Sequence, residues 1–276
     1  MHTVAANGAN IPALGFGTWD LRGDTAVNMV RDAIEIGYRH IDTAVMYDNE
    51  REVGEGIRQA GIDRNELFVT TKIWPSDFES AAFEAAVTTS LDKLALDRVD
   101  LLLLHWPNPD VPLAETMDAL CDAKLGGRTS HIGISNFTTR QIEQAVELSR
   151  EPIAVNQVEY HPYLSQNALM ETHAKHGIAL TAYCPIARGR IFDEASLNDI
   201  ARKHDKRPNQ IVLRWLIQQD QVIAVPRTSS IAHARSNFEL DDFELSAEEM
   251  KQIAACESAD GRIVAVNSQG FAPDWD

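Results

Sequence analysis

Short runs of apolar and β-branched residues recur along the chain at near-regular intervals, and each is followed by a stretch in which apolar residues return every three or four positions. Strand then helix, repeated, is the pattern of βαβ units around a parallel sheet. It predicts eight strands, at Leu14–Trp19, Tyr38–Ala44, Leu67–Trp74, Val99–Trp106, His131–Phe137, Ala154–Tyr160, Ala179–Pro185 and Val222–Arg227. Predicted helices include Thr25–Ile36, Glu50–Ala60, Ser80–Leu94, Leu113–Leu125, Thr139–Leu148 and Asn167–His176. The run Val99-Asp100-Leu101-Leu102-Leu103-Leu104 is almost continuously apolar. That is expected where helices cover one face of a strand and a barrel interior covers the other; a half-exposed antiparallel strand would alternate. No proline- or glycine-rich linker breaks the series, so the expected architecture is a closed (β/α)8 TIM barrel forming one domain over residues 1–276.

Two segments depart from the repeat. Val4–Ile11 carries the pair Asn7-Gly8, suited to the positive φ angles of a two-residue hairpin turn, and is expected to cap the N-terminal end of the barrel. The tail Arg262–Asp276 holds Phe271, Pro273 and Trp275 without helical spacing and is expected to fold over a site.

Charge narrows the range of partners. The chain has 25 Lys and Arg against 41 Asp and Glu, a formal net charge of −16, which disfavours nucleic acid and anionic membrane surfaces. Any anionic small ligand must therefore be met by a local group of cations. Cys121, Cys184 and Cys256 are far apart and odd in number, which gives neither a disulfide framework nor a zinc ribbon and fits a reducing cytoplasm. The N-terminus lacks a basic segment followed by an apolar one, and no run of apolar residues approaches a membrane span, so export and membrane insertion are not expected.

In barrels of this kind the chemistry sits at the C-terminal ends of the strands. Asp42 ends the second predicted strand, Tyr47 follows in its loop, Lys72 ends the third, and His105 ends the fourth after four leucines. Taken singly, an Asp there is most often a helix cap, a Tyr a packing residue, and a His the partner of a loop carbonyl. Four complementary groups on three successive strand ends point instead to a reacting site. A neighbouring ammonium is expected to lower the pKa of a phenol, making Tyr47 a proton donor, while Asp42 would keep Lys72 charged. His105 would hydrogen-bond a substrate oxygen and stabilise charge developing there.

The same residues fall within segments that resemble the aldo-keto reductases almost from end to end. These are Gly15-Phe16-Gly17-Thr18-Trp19, Gly37-Tyr38-Arg39-His40-Ile41-Asp42-Thr43-Ala44 with Tyr47, Thr71-Lys72-Ile73-Trp74, and Asp100 through Pro107. They continue in Ile132-Gly133-Ile134-Ser135-Asn136-Phe137, Asn156 through Pro162 and Val225-Pro226-Arg227-Thr228. The tail ending Ala272-Pro273-Asp274-Trp275-Asp276 is similar to that of the bacterial 2,5-diketo-D-gluconate reductases of B type. The resemblance implies an NADPH-dependent enzyme that reduces small aldehydes, ketones or dicarbonyls, such as methylglyoxal or diketo sugar acids, with Tyr47, Asp42, Lys72 and His105 as its catalytic tetrad. It also implies a monomer. A Rossmann domain is not expected, because Gly15-x-Gly17 lacks a third glycine: position 20 is Asp.

Carried over residue by residue, the resemblance implies that Ser135, Asn136 and Gln157 hold the nicotinamide carboxamide and that Tyr183 stacks on the ring. Gly17, Thr18, Trp19, Asp42 and the stretch Pro185, Ile186, Ala187, Arg188 complete that side of the cofactor site. Pro226, Arg227, Thr228, Ser229, His233 and Asn237 would hold the adenosine end. Arg188, Arg190, Arg227 and Arg235 are candidates for the cationic group, and Arg227 stands where the family usually places a lysine for the 2′-phosphate. His233 departs from the arginine common in NADPH-preferring members and is a weaker phosphate partner. NADP(H) is therefore the expected cofactor, with NAD(H) admitted as a second.

Trp19, Trp74 and Trp106, with Tyr47 and His105, are expected to line an apolar substrate pocket, kept open by short loops and a short tail. Three other readings compete. A Schiff-base aldolase would use Lys72 as a nucleophile, but a carboxylate neighbour holds that amine protonated. A non-catalytic NADP(H)-binding sensor or subunit would keep the cofactor site without turnover. Metal catalysis through Glu171, His173 and His176 is not expected, since these lie on a helix away from the site and are read as facing solvent.

Overall fold

The computed structural model describes residues 2–264 and 270–275. The chain opens with an antiparallel hairpin, β1 (Thr3–Ala6) and β2 (Ala9–Pro12). Its turn residues Asn7 and Gly8 both have positive φ, 43° and 88°, which is what a tight two-residue connection between twisted strands requires. The Asn7 amide donates to the carbonyls of Ile153 at 2.7 Å and His176 at 3.0 Å. Both partners lie at the N-terminal end of the barrel, so the hairpin closes that end as the sequence predicts.

The barrel strands follow as β3 (Phe16–Gly17), β4 (His40–Asp42), β5 (Phe68–Ile73), β6 (Val99–Leu104) and β7 (Thr129–Ser135). They continue as β8 (Ile153–Glu159), β9 (Ala179–Tyr183) and β10 (Val222–Ala224). Each pairs in parallel with the next, β3 to β4 and so on to β10. The two ends of this series meet: Leu14 pairs with Ala224 and Gly17 with Arg227, both in parallel. The amides of Gly15 and Gly17 donate to the carbonyls of Ala224 and Pro226 at 2.8 and 2.9 Å, so the sheet has no free edge.

Between strands run α1 (Gly23–Ile36), α2 (Glu50–Ala60), α3 (Ser80–Leu94), α4 (Leu113–Leu125), α5 (Thr139–Leu148) and α6 (Asn167–His176). Two helices, α7 (Ala195–His204) and α8 (Pro208–Ile217), separate β9 from β10; α9 (Ile231–Phe238) and α10 (Ala247–Ala254) follow. Local chemistry sets several of these starts. Thr138 with Gln141 and Ser246 with Glu249 form reciprocal capping boxes at α5 and α10, and Ser230 caps α9 by accepting the His233 amide. Pro208, with φ preset for a helix and no amide to leave unbonded, begins α8.

All of β5 and β8 is buried. Polar residues in these strands, Lys72, Asn156, Gln157 and Glu159 among them, must therefore find partners inside the protein, and that requirement builds the site.

Candidate active site

The tetrad assembles at the C-terminal mouth of the barrel. Asp42 ends β4, Tyr47 lies in the single 3-10 turn Val45–Tyr47 that follows, Lys72 is the fifth residue of β5, and His105 comes directly after β6. Lys72 is completely buried. Its Nζ donates to Asp42 Oδ1 at 2.6 Å, to the Thr43 carbonyl at 2.7 Å and to the Tyr47 hydroxyl at 3.3 Å. The Tyr47 turn is held from behind by Asn49, whose side chain donates to the carbonyls of Thr18 and Leu21 and accepts from Thr43. Arg22 donates to the Tyr47 carbonyl.

Burial sets the direction in which these groups titrate. It pushes the Tyr47 phenol up, and the nearby Lys72 ammonium pulls it down without cancelling the rise. The sequence-based expectation of a lowered phenol is therefore corrected: proximity to an ammonium is real, but desolvation outweighs it. Burial would depress Lys72, yet Asp42 and then Tyr47 more than compensate, and its net direction is upward. His105 is held well below the usual imidazole value by burial first and by Lys72 second, so its ring is neutral near pH 7. Among the described residues its buried Nδ1 has no hydrogen-bond partner.

The residues expected to hold a nicotinamide lie beside this group and are bonded into it. Gln157 Nε2 donates to Asp42 Oδ2 at 2.7 Å. The Asn136 amide donates to the His105 carbonyl at 3.0 Å and to Ser135 Oγ at 3.1 Å, and Ser135 Oγ donates to the Gln157 carbonyl at 2.8 Å. The Tyr183 hydroxyl donates to Asn136 Oδ1 at 2.8 Å, which leaves the half-buried ring at the rim. Asn136 takes a left-handed backbone, φ 64°, as the chain leaves β7. Thr18 donates through both its amide and its hydroxyl to the Asp42 carbonyl, tying the Gly17-Thr18-Trp19 end to the tetrad.

The adenosine-side candidates are more dispersed. Pro185 and Ala187 are buried and Arg188 is exposed in the loop after β9, with Ile186 between them in exposure. Pro226 and Thr228 are buried, Ser229 and His233 are exposed at the start of α9, and Asn237 is buried with its Oδ1 accepting from Asn209 at 2.7 Å. Arg227 reaches across the closure of the barrel to the carbonyls of Trp19 at 2.9 Å and Asp20 at 3.3 Å, with the Asp20 carboxylate 3.7 Å away. Arg190 turns elsewhere, over the Tyr163 ring at 4.7 Å, and so does not join Arg227.

Aromatic rings wall the opening. Trp19 packs edge-on to Tyr47 with centroids 5.0 Å apart, and Trp74 edge-on to His105 at 5.1 Å. Trp19 is 45% exposed and Trp106 only 4%, so they contribute a rim and a wall respectively. Phe271 meets Trp74 at 5.9 Å and Trp275 meets Trp106 at 6.2 Å. Through these two contacts the tail lies against Trp74 and Trp106 at the mouth of the barrel; positions 265–269 and 276 of the tail fall outside the described residues.

One expectation is overturned away from the site. His173 does not face solvent: it is 2% exposed, packs under β8 with its Nε2 3.2 Å from the Asn156 amide, and burial lowers its pKa to about 4. His176 pairs with Glu143 at 3.0 Å. Among the described residues no group of three or more His, Cys, Asp or Glu is placed to hold a metal ion, and no helix is long and apolar enough to cross a membrane.

Sequence reasoning gave no role to Glu159 and His161, a fully buried pair at the end of β8, nor to Arg262. A carboxylate at the end of an otherwise uncharged buried strand was the available signal.

A closed parallel barrel with a buried Asp-Tyr-Lys-His group at its C-terminal mouth defines a class of oxidoreductases, and sequence comparison gives the family. The model for the aldo/keto reductase family matches residues 13–258, and the chain belongs to that family. It is 40% identical over 269 residues to a methylglyoxal reductase DkgB of Escherichia coli O157:H7, covering 96% of this chain and 99% of the relative. A crystal structure of a candidate 2,5-diketo-D-gluconic acid reductase B superposes with a TM-score of 0.98 at 48% identity, over 100% of this chain and 98% of that one. A Bombyx mori aldo-keto reductase in complex with NADP gives 0.89 at 34% identity, over 97% and 95%.

Proposed function

We propose that the chain reduces small aldehydes, ketones and dicarbonyls to alcohols with NADPH, using Tyr47 as the general acid within one barrel domain. The observation that carries this reading is the continuous buried chain Gln157–Asp42–Lys72–Tyr47, which joins the carboxamide-binding side of the site to the proton donor. The residues fit a nicotinamide dinucleotide. Hydroxyl and amide groups of Ser135, Asn136 and Gln157 suit a carboxamide, the half-buried Tyr183 face suits ring stacking, and the exposed start of α9 with Ser229 suits a phosphate. When bound, the nicotinamide supplies the hydride.

The protein's part is to place and move a proton. A phenol raised by burial keeps its proton at neutral pH, so Tyr47 Oη is loaded as a donor. As the proton leaves, Lys72 at 3.3 Å stabilises the phenolate, and Asp42 keeps Lys72 charged throughout. The neutral His105 presents Nε2 to the substrate oxygen, orienting the carbonyl and stabilising charge as it develops.

The indole walls suit small, flat carbonyl compounds, and the methylglyoxal and diketo-acid chemistry named for the relatives falls within that class. Arg227 would meet a 2′-phosphate by giving up its bonds to the Trp19 and Asp20 carbonyls, while the exposed His233 would add less than an arginine, which supports reading NADH as a second cofactor. The test is cofactor oxidation followed by absorbance with methylglyoxal, an aromatic aldehyde and a diketo sugar acid in turn. Turnover with at least one is expected; tight NADPH binding without turnover on any of the three would replace this reading with that of a sensor.

A further inference from the structure

Glu159 is a buried carboxylate that the proposed chemistry does not use. It closes β8, it is fully buried, and it bonds to no residue of the tetrad or of the carboxamide-binding set. Placing a carboxylate there is unfavourable unless charged hydrogen bonds compensate it. Three do. Oε1 accepts from His161 Nε2 at 2.8 Å and from the backbone amide of Ile263 at 2.7 Å, and Oε2 accepts from the amide of Val264 at 2.8 Å. Burial pushes this acid up, but His161 and the two amides outweigh burial and bring it below the usual carboxylate range.

Two of those donors belong to the root of the C-terminal tail. The chain reaches Glu159 by passing close over Tyr163: the Ser258 amide donates to the Tyr163 carbonyl at 3.1 Å, and the Gly261 amide turns back to Ser258 at 3.0 Å. A Cβ on Gly261 would collide with that same Tyr163 carbonyl, so only glycine allows the approach.

From this fixed root the contacts run towards the carbonyl pocket. The Arg262 guanidinium lies over the Trp275 ring, 3.7 Å from its centroid, and Trp275 packs on Trp106, the neighbour of His105 in sequence. Among the described residues the buried Arg262 Nη1 has no hydrogen-bond partner; the guanidinium is held by its contact with the Trp275 ring and by the charge of Glu159.

We propose that Glu159 is a positioning residue: it fastens the tail at Ile263 and Val264, and through the Arg262–Trp275 stack it fixes the Trp106 wall against which larger carbonyl substrates bind. The inference rests on the reductase reading and adds to it a determinant of substrate size outside the tetrad.

Glu159→Gln tests it. Glutamine keeps the shape but turns an NH2 group towards one of the donors, so at least one tail bond is lost. Hydrogen exchange at the Ile263 and Val264 amides should accelerate at least about tenfold while that of β5 and β6 stays unchanged. KM for an aromatic aldehyde should rise about tenfold, the effect of one charged hydrogen bond. The kcat for that aldehyde and the Kd for NADPH should stay within about twofold, because neither depends on the tail wall. Trp275→Ala should raise the same KM, and Glu159→Gln added to it should raise it no further. Should Glu159→Gln fail to fold, Arg262→Ala breaks the route without burying an unpaired donor and should give the same split of KM from kcat.

Unchanged amide exchange in an active Glu159→Gln enzyme would overturn the latch, as would KM effects that add to those of Trp275→Ala. A parallel loss of kcat, NADPH affinity and thermal stability would reduce Glu159 to a structural residue and also overturn it. Absence of carbonyl turnover by the wild-type chain would defeat the reductase reading instead, and the exchange measurement would still decide the latch.

Discussion

Lys72 Nζ lies 3.3 Å from the Tyr47 hydroxyl and is closed off from solvent, so the charge state of the phenol is set by burial first, opposed by this cation, with the Asp42 carboxylate adding to the rise. Burial wins in the resting site, and the phenol stays protonated. The cation matters most once the proton has left.

Lys72→Met removes that cation while keeping most of the volume of the side chain. The phenolate left by proton transfer would then be unsupported, and Asp42 would be a buried carboxylate without its ammonium. We expect kcat for reduction to fall by roughly 10²–10⁴-fold. Single-turnover hydride transfer measured with saturating NADPH checks this, and a change confined to cofactor Kd would count against the assignment.

The pH profile follows from two directions. Tyr47 must be protonated to donate, and its pKa is raised above the ordinary phenol value of 10.0, so donor loss should be centred above that pH. His105 is held well below the ordinary imidazole value of 6.5, so its neutral form should persist as pH falls through that value. The kcat for reduction is thus expected to be nearly flat from about pH 6.5 to about pH 9 at saturating cofactor and substrate. A sigmoidal loss centred near neutrality would show that one of these groups titrates in its unperturbed range.

Cofactor preference should respond to the adenosine end alone. His233 is exposed at the start of α9, and an arginine there would add a fixed cation near the position proposed for the 2′-phosphate. His233→Arg is expected to lower KM for NADPH about five- to tenfold and to leave KM for NADH unchanged. Steady-state kinetics with both cofactors separates this from a general change in cofactor affinity.

Gly54 in α2 sets how closely that helix meets the end of α3. A Cβ there would collide with the Leu94 carbonyl group, which as backbone cannot swing aside. Gly54→Ala should therefore destabilise the barrel by about 1–3 kcal/mol even though alanine favours helix by about 1 kcal/mol. Thermal unfolding of the two proteins would show it as a Tm lowered by several degrees.

The strand-helix alternation was legible because the barrel strands are buried on both faces and the helices from α1 to α6 on one. The predicted bounds of α2 through α6 agree with the structure, since apolar spacing changes sharply at their ends. The strands were read too long at their C-terminal ends, for example to Phe137 and Pro185. There the backbone leaves the ladder, with Asn136 at φ 64° and Cys184 at φ 53°, while side chains stay apolar or polar in the same pattern. The tetrad was legible because its residues sit on consecutive strand ends. The direction of the Tyr47 shift, the burial of His173, the clasp of Arg227 on the first barrel loop and the Glu159 latch were not. Each depends on a partner or on packing contributed by a remote part of the chain.

Tyr47→Phe tests the central claim most directly, with NADPH binding and carbonyl reduction measured on the same preparation. The account predicts a Kd for NADPH within about twofold of wild type and a kcat reduced by at least about a thousandfold, since the ring that packs on Trp19 and His105 is kept and only the proton is removed. Reduction persisting at near wild-type rate in that variant would contradict it, because the proton would then come from elsewhere.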